Sequence, residues 1–210
     1  MTGLAIYIEG GGDGPNGRAQ LRQGFDALLG AQKELARKHR VAWKLVLCGS
    51  RHATFDAFQH ASRDTTDVVG LLVDAEAPVK SAGAAGRAAH LAAHDGWSLK
   101  GAVDRVHLMT QCMEAWIVAD RDALARFYGK DFHPGALAQR ARLDDEPKAS
   151  LLRGLADATK RTTKGSYGKI KHASQLLAQL SPAKVAARCE SFRDFTTWLD
   201  VELAAAALRS

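Results

Sequence analysis

Three carboxylates stand where a chain can gather groups for chemistry. Glu9 closes the apolar run LAIYIE and is followed at once by Gly10, Gly11 and Gly12, while Asp74 closes GLLVDAE with Glu76 two residues on. Carboxylates forced together repel one another, and a divalent cation removes that penalty. Magnesium asks for only one or two carboxylates, because water and substrate phosphate oxygens complete its shell, so three acids suffice for Mg2+ or Mn2+. The glycines after Glu9 let a bulky phosphodiester approach the backbone. Each acid alone reads more readily as a cap on the turn or helix that follows, since acids at strand ends are common. Their joint occurrence beside a glycine run favours a metal site.

Further candidates surround this set. Glu114, just past a fourth apolar segment, offers a fourth carboxylate or a hold on metal-bound water; the plain alternative is an acid favoured at a helix N-terminus. Arg51 follows the second apolar segment and should project to the same edge as the acids. Lys148, Lys160, Lys164, Lys169, Lys171 and His172 are candidates for neutralising phosphate charge, and TKRTTKGSYGKIKH over residues 159–172 gathers most of them. Tyr167 in that run offers a ring for base stacking, although a tyrosine packing a loop is commoner. Asp120 reads as a surface residue.

Two rival motifs are weaker. Residues 12–17, GDGPNG, fit GxGxxG between a strand and a helix, but the second strand ends CGSR instead of supplying an acid for a ribose. A dinucleotide site would also leave Asp74 and Glu76 idle. His90 and His94 are four apart, yet HLAAH lacks the glutamate of the zinc-protease motif and reads as surface histidines. No GxSxG elbow and no GxxxxGK[ST] loop occurs, so ATP hydrolysis by this chain is not expected.

The elements that must position these residues follow from the apolar pattern. Residues 4–9, 43–48, 68–74 and 105–111 read as strands, each short, rich in Val, Ile or Leu, and bounded by Gly or polar residues. Segments 18–40, 52–63 and 81–95 have helical character. This alternation predicts right-handed βαβ units and a parallel sheet covered by helices on both faces. In such sheets, sites form beyond the carboxyl ends of the strands at a topological switch point. After the fourth strand the pattern is helical throughout: Met113, Trp116, Ile117, Leu124 and Phe127 mark one helix to about Tyr128. Ser181-Pro182 marks a start, and Ser191 a cap for a last helix with Phe192, Phe195, Leu199 and Leu203 inward. The expected division is an α/β domain over residues 1–129 and a basic helical extension over 130–210, packed on it.

Composition bounds the reading. With 210 residues, 46% hydrophobic and 25% charged, the chain can bury a substantial core and is not disordered. No apolar run approaches the roughly 18 residues of a membrane span, and the N-terminus reads as a first strand, not a signal peptide. Cys48, Cys112 and Cys189 are odd in number and widely spaced, which suits a reducing cytoplasm better than a disulfide framework. The net charge of +6 resides in residues 130–190, where twelve Lys and Arg face six Asp and Glu. A neutral N-terminal part beside a basic C-terminal third suggests a polyanion partner, or else a solvated basic surface.

A strand ending in Glu-Gly and a later one ending in Asp-x-acid resembles the Toprim domain of topoisomerases, primases and related nucleases, over about residues 4–120. That resemblance implies a three-layer, Rossmann-like parallel sheet with magnesium held by Glu9, Asp74 and Glu76. The second acid here is Glu76, and no glycine follows where Toprim domains usually have one. EGGG at 9–12, CGSR at 48–51, LLVDAE at 71–76, QCMEAW at 111–116, ATK at 158–160 and YGKIKHA at 167–173 resemble, more closely, a bacterial family called domain of unknown function 4276. These resemblances imply a metal-dependent nuclease acting on nucleic acid, with an ATPase partner in phage defence. The alternative is a non-catalytic regulatory or assembly subunit of an ATPase complex.

Overall fold

The computed structural model describes residues 3–12, 14–63, 67–99 and 101–208. Its sheet has four parallel strands, β1 (Gly3–Glu9), β2 (Ala42–Gly49), β3 (Val68–Asp74) and β4 (Val106–Met109), in the order β2-β1-β3-β4. The chain lays β2 on one side of β1, then crosses to place β3 and β4 on the other. The switch point therefore falls between β1 and β3, the two strands that end in Glu9 and Asp74.

Alternate residues of β3 serve opposite faces, as the two-residue period of a strand requires. Val69, Leu71 and Val73 join Phe55, Phe58 and Leu91 from α3 (Arg51–Ala61) and α4 (Gly83–Asp95). Val68 and Leu72, with Leu4, Ile6 and Ile8 of β1, face α1 (Pro15–Leu28), α2 (Gly30–Lys38) and the C-terminal helices. The result is three layers, helix on sheet on helix. The C-terminal helices are α5 (Glu114–Ala119), α6 (Arg121–Tyr128), α7 (Lys148–Thr159), α8 (Lys169–Leu177), α9 (Pro182–Arg188) and α10 (Glu190–Leu208). One continuous core contains β1 residues together with Leu151, Leu176, Phe192, Phe195 and Leu203. Gly70 allows α10 close to the sheet, since a Cβ there would lie 2.7 Å from the Trp198 ring.

Local chemistry moved several expected boundaries. The helix foreseen over 18–40 starts earlier, with Pro15 at its first position, and breaks at Leu29. The helix foreseen from Met113 to Tyr128 breaks at Asp120, whose carboxylate accepts from the Ala123 N–H (3.1 Å) and caps α6. Asp120 is not a surface residue: it is buried and also accepts from the Ser181 N–H (2.9 Å) and Lys184. Burial works against its charge, but these donors hold its pKa below the usual value. Ser181 does precede Pro182 at the start of α9. Ser191 caps nothing: α10 begins at Glu190, and Ser191 donates its N–H and hydroxyl to Asp144 (3.0 and 2.7 Å). Among the described residues no helix is long and apolar enough to cross a membrane.

Candidate metal centre

Glu9 and Asp74 end neighbouring strands, so their carboxylates meet at the carboxyl edge of the sheet. Glu76 joins them because the chain turns back beyond Asp74. Its φ of +64° is left-handed, and its N–H donates to the Gln111 carbonyl (2.8 Å), while the Ala75 N–H donates to the Met109 carbonyl (2.9 Å). On the other side His90, half-buried and not the surface histidine expected, bonds the Ala75 carbonyl through Nε2 (2.7 Å). A non-glycine residue in this conformation is uncommon and is a form of strain often found at functional sites. One oxygen from each of Glu9, Asp74 and Glu76 lies within 4.8 Å of the others. Two ligands of one magnesium ion stand at most about 4.2 Å apart, twice a bond of about 2.1 Å. The donor set is all carboxylate oxygen, the type that hard divalent cations take.

Asp74 is buried; its Oδ1 accepts from the Met113 N–H (2.8 Å) and its Oδ2 faces Lys169 Nζ (3.1 Å). Glu9 Oε2 accepts from the Asp74 N–H (3.1 Å) and from Arg51 Nη1 (3.2 Å). Arg51 also donates to the Asp74 carbonyl oxygen. Glu76 receives Lys148 Nζ on both oxygens (2.6 and 2.5 Å). Burial raises the Glu9 pKa, and the Asp74 charge raises it further; burial likewise pushes Asp74 upward although Lys169 pulls it back. Three acids thus face three cations, one each.

Arg51, Glu114, Lys148 and Lys169 are the first residues of α3, α5, α7 and α8, so four helices begin at this edge. Helix starts favour acids and disfavour cations, by about 0.3–1 kcal/mol each. The basic residues at three of them are therefore set against helix stability, and they add side-chain charge to the positive helix ends, a setting suited to anions.

Glu114 is buried and lies outside the three-acid group; Tyr167 donates its hydroxyl to Glu114 Oε1 (3.1 Å). Tyr167 is thereby a strut beneath the site and not an exposed stacking ring, and burial and the Glu114 charge push its hydroxyl pKa strongly upward. His172, expected on a nucleic-acid surface, is buried against Phe127, Tyr128 and Tyr167 and bonds the Tyr128 hydroxyl through Nδ1 (3.1 Å). Lys160 pairs with Asp157, Lys164 lies over the Phe127 ring, and Lys171 donates to the Lys164 carbonyl. None of these three joins the cations that face the acids.

One participant was not foreseen. Asp95 receives Arg51 Nε and Nη2 (both 2.7 Å) and fixes the guanidinium, whose plane also lies over Trp97. Burial opposes the Arg51 charge, but Asp95 and then Glu9 more than offset it and raise its pKa. An acid on the last residue of a helix, against the macrodipole, is the signal in the sequence that marks Asp95. Of the 12–17 glycine motif, Asp13 lies outside the described residues.

A family model described as domain of unknown function, DUF4276, matches residues 8–200. No curated protein and no solved structure matches the chain.

Proposed function

The chain belongs to the DUF4276 family, and we propose that this member is a metal-dependent nuclease that cleaves phosphodiester bonds in nucleic acid with Mg2+ or Mn2+. The observation that carries this reading is the convergence of Glu9, Asp74 and Glu76 at the β1/β3 switch point, within reach of Arg51, Lys148 and Lys169. The likeness to Toprim enzymes belongs to the same proposal and rests on the same strand-end acids.

Glu9, Asp74 and Glu76 would hold the cation, which when bound polarises the phosphate and lowers the pKa of water. The protein's own groups do the rest. Arg51, locked by Asp95, offers an oriented charge for a phosphate oxygen. Lys148 and Lys169 neutralise the carboxylates in the metal-free protein and turn to phosphate when a cation takes their place. Metal and polyanion should therefore bind cooperatively, because a cation that displaces Lys148 and Lys169 from the carboxylates frees their charge for phosphate. Cytoplasmic location, an ATPase partner and a role in phage defence complete the proposal.

The pairing of every acid with a cation also favours a second reading, a non-catalytic subunit whose ion-pair network only holds the edge together. Turnover separates the two. Plasmid and single-stranded oligonucleotide should be cut with Mg2+ or Mn2+ and not with EDTA, and Asp74→Asn or Glu9→Gln should lower the rate by at least a hundredfold in a folded protein. Undiminished cleavage by Asp74→Asn, or none by the wild type with any divalent metal and its partner present, refutes the nuclease.

A further inference from the structure

Beside the acids lies a cavity of about 350 Å³ that the metal chemistry does not use. Glu9 and Lys169 are both part of its lining. Its walls are backbone: Gly10, Gly11 and Gly12, all at positive φ (+122°, +88° and +63°), face Gly17 and Gly49. These glycines are packed main chain on main chain. A Cβ on Gly17 would lie 2.4 Å from the Gly11 carbonyl oxygen, and one on Gly49 would lie 2.9 Å from that of Gly12. Two hydrogen bonds between Gly10 and Gly49 (2.9 and 3.1 Å) pin this loop to β2. The cavity is thus pre-formed, with smooth peptide walls.

Apart from Gln20, its remaining lining is apolar or already engaged. Leu21 lies at the base and Ile170 at the rim; Ile170 is 77% exposed between Lys169 and Lys171. Ser174 donates its hydroxyl to the Gln20 carbonyl, so it is not free to donate to a ligand. An occupant must combine an uncharged, flat body with an anionic group at the Glu9–Lys169 end, where a cation and Lys169 would meet it. The volume is near the lower end of the 300–1,000 Å³ typical of ligand pockets, enough for one nucleoside and too small for a base pair.

We propose that this cavity receives the unpaired nucleoside adjoining the phosphate at the acidic centre, so that the substrate is single-stranded or frayed nucleic acid. The inference rests on the nuclease reading and narrows its substrate. A base stacked in a duplex cannot enter, whereas an unpaired one exchanges its stacking for the glycine walls and Ile170. Among the described residues the lining offers few neutral side-chain hydrogen-bonding groups, the Gln20 amide and the acceptor side of the Ser174 hydroxyl, so recognition is chiefly by shape and base preference should be weak.

The test uses the full chain. Calorimetry first measures Mn2+ binding alone, then binding of thymidine 5′- and 3′-monophosphate and of inorganic phosphate with Mn2+ present. At least one nucleotide should bind tenfold or more tightly than phosphate. Gln20→Trp, at an exposed position on the lining, should remove that preference while leaving Mn2+ and phosphate binding unchanged, and Ile170→Ala should reduce it. Single strands should be cut faster than covalently closed duplex by the wild type and not by Gln20→Trp. Mn2+ binding with no nucleotide preference, or a preference that Gln20→Trp leaves intact, overturns the cavity's role alone. Failure to bind Mn2+ even with nucleic acid present overturns the metal centre itself.

Discussion

His107 makes a prediction whose size follows from its surroundings. It is the second residue of β4, 2% exposed, with its ring against Phe195 (5.2 Å) and Trp198 (4.6 Å) of α10. Its Nε2 finds no partner among the described residues. Burial, helped by the Arg87 charge, lowers its pKa from 6.5 to about 3. The unfolded chain therefore takes up a proton near pH 6.5 that the folded chain refuses until about pH 3. In that window the unfolded state binds more protons, so stability rises with pH, and acidification below 6.5 costs it progressively. At pH 5.0 the loss from this residue is about 2 kcal/mol, since each unit between the pH and 6.5 contributes about 1.4 kcal/mol. For a chain of this size that is about 4–8 °C in Tm. His107→Phe, which keeps the aromatic packing, should lose less stability than the wild type between pH 7.5 and 5.0 by that amount in scanning calorimetry. Parallel profiles for the two proteins, or an imidazolium signal from folded wild type at pH 5 by NMR, would refute the reasoning.

Other outcomes follow from the same contacts. The Mn2+ affinity of the wild type should rise at least tenfold when a non-cleavable oligonucleotide is present, and Lys169→Met should strengthen Mn2+ binding in its absence; calorimetry reads both. Asp95→Asn should raise KM and lower kcat by freeing Arg51, a change that steady-state kinetics on an oligonucleotide would detect. Binding to duplex should weaken with salt at a log–log slope of about −0.9 per phosphate neutralised. Replacing Lys148 and Lys169 should flatten that slope more than replacing Lys160 and Lys164, which point to other partners. Asp120→Ala should destabilise by about 1–3 kcal/mol by stranding the buried Ala123 N–H and the half-buried Ser181 N–H, measurable by urea denaturation.

The strands and the acids at their ends were legible in the sequence, because short apolar runs bounded by glycine or polar residues have few other structures open to them. Val68–Asp74 matched the expected strand residue for residue. Glu9, Asp74, Glu76 and Arg51 were marked by their positions at strand ends, Lys148 and Lys169 by charge. The sequence did not reveal which cations reach the acids. Lys160 and Lys169 look alike in a basic run, and only the start of α8 at Lys169 aims one of them at Asp74. Burial of Asp120, Glu114 and His172 was equally hidden, since a polar residue enters a core only when distant donors or rings receive it, here Ser181, Tyr167 and Tyr128. Local pattern reports what a segment does by itself. Adjacency of β1 and β3, the pairing of Arg51 with Asp95 and the glycine-walled cavity depend on contacts across tens of residues, and those are decided only when the whole chain has packed.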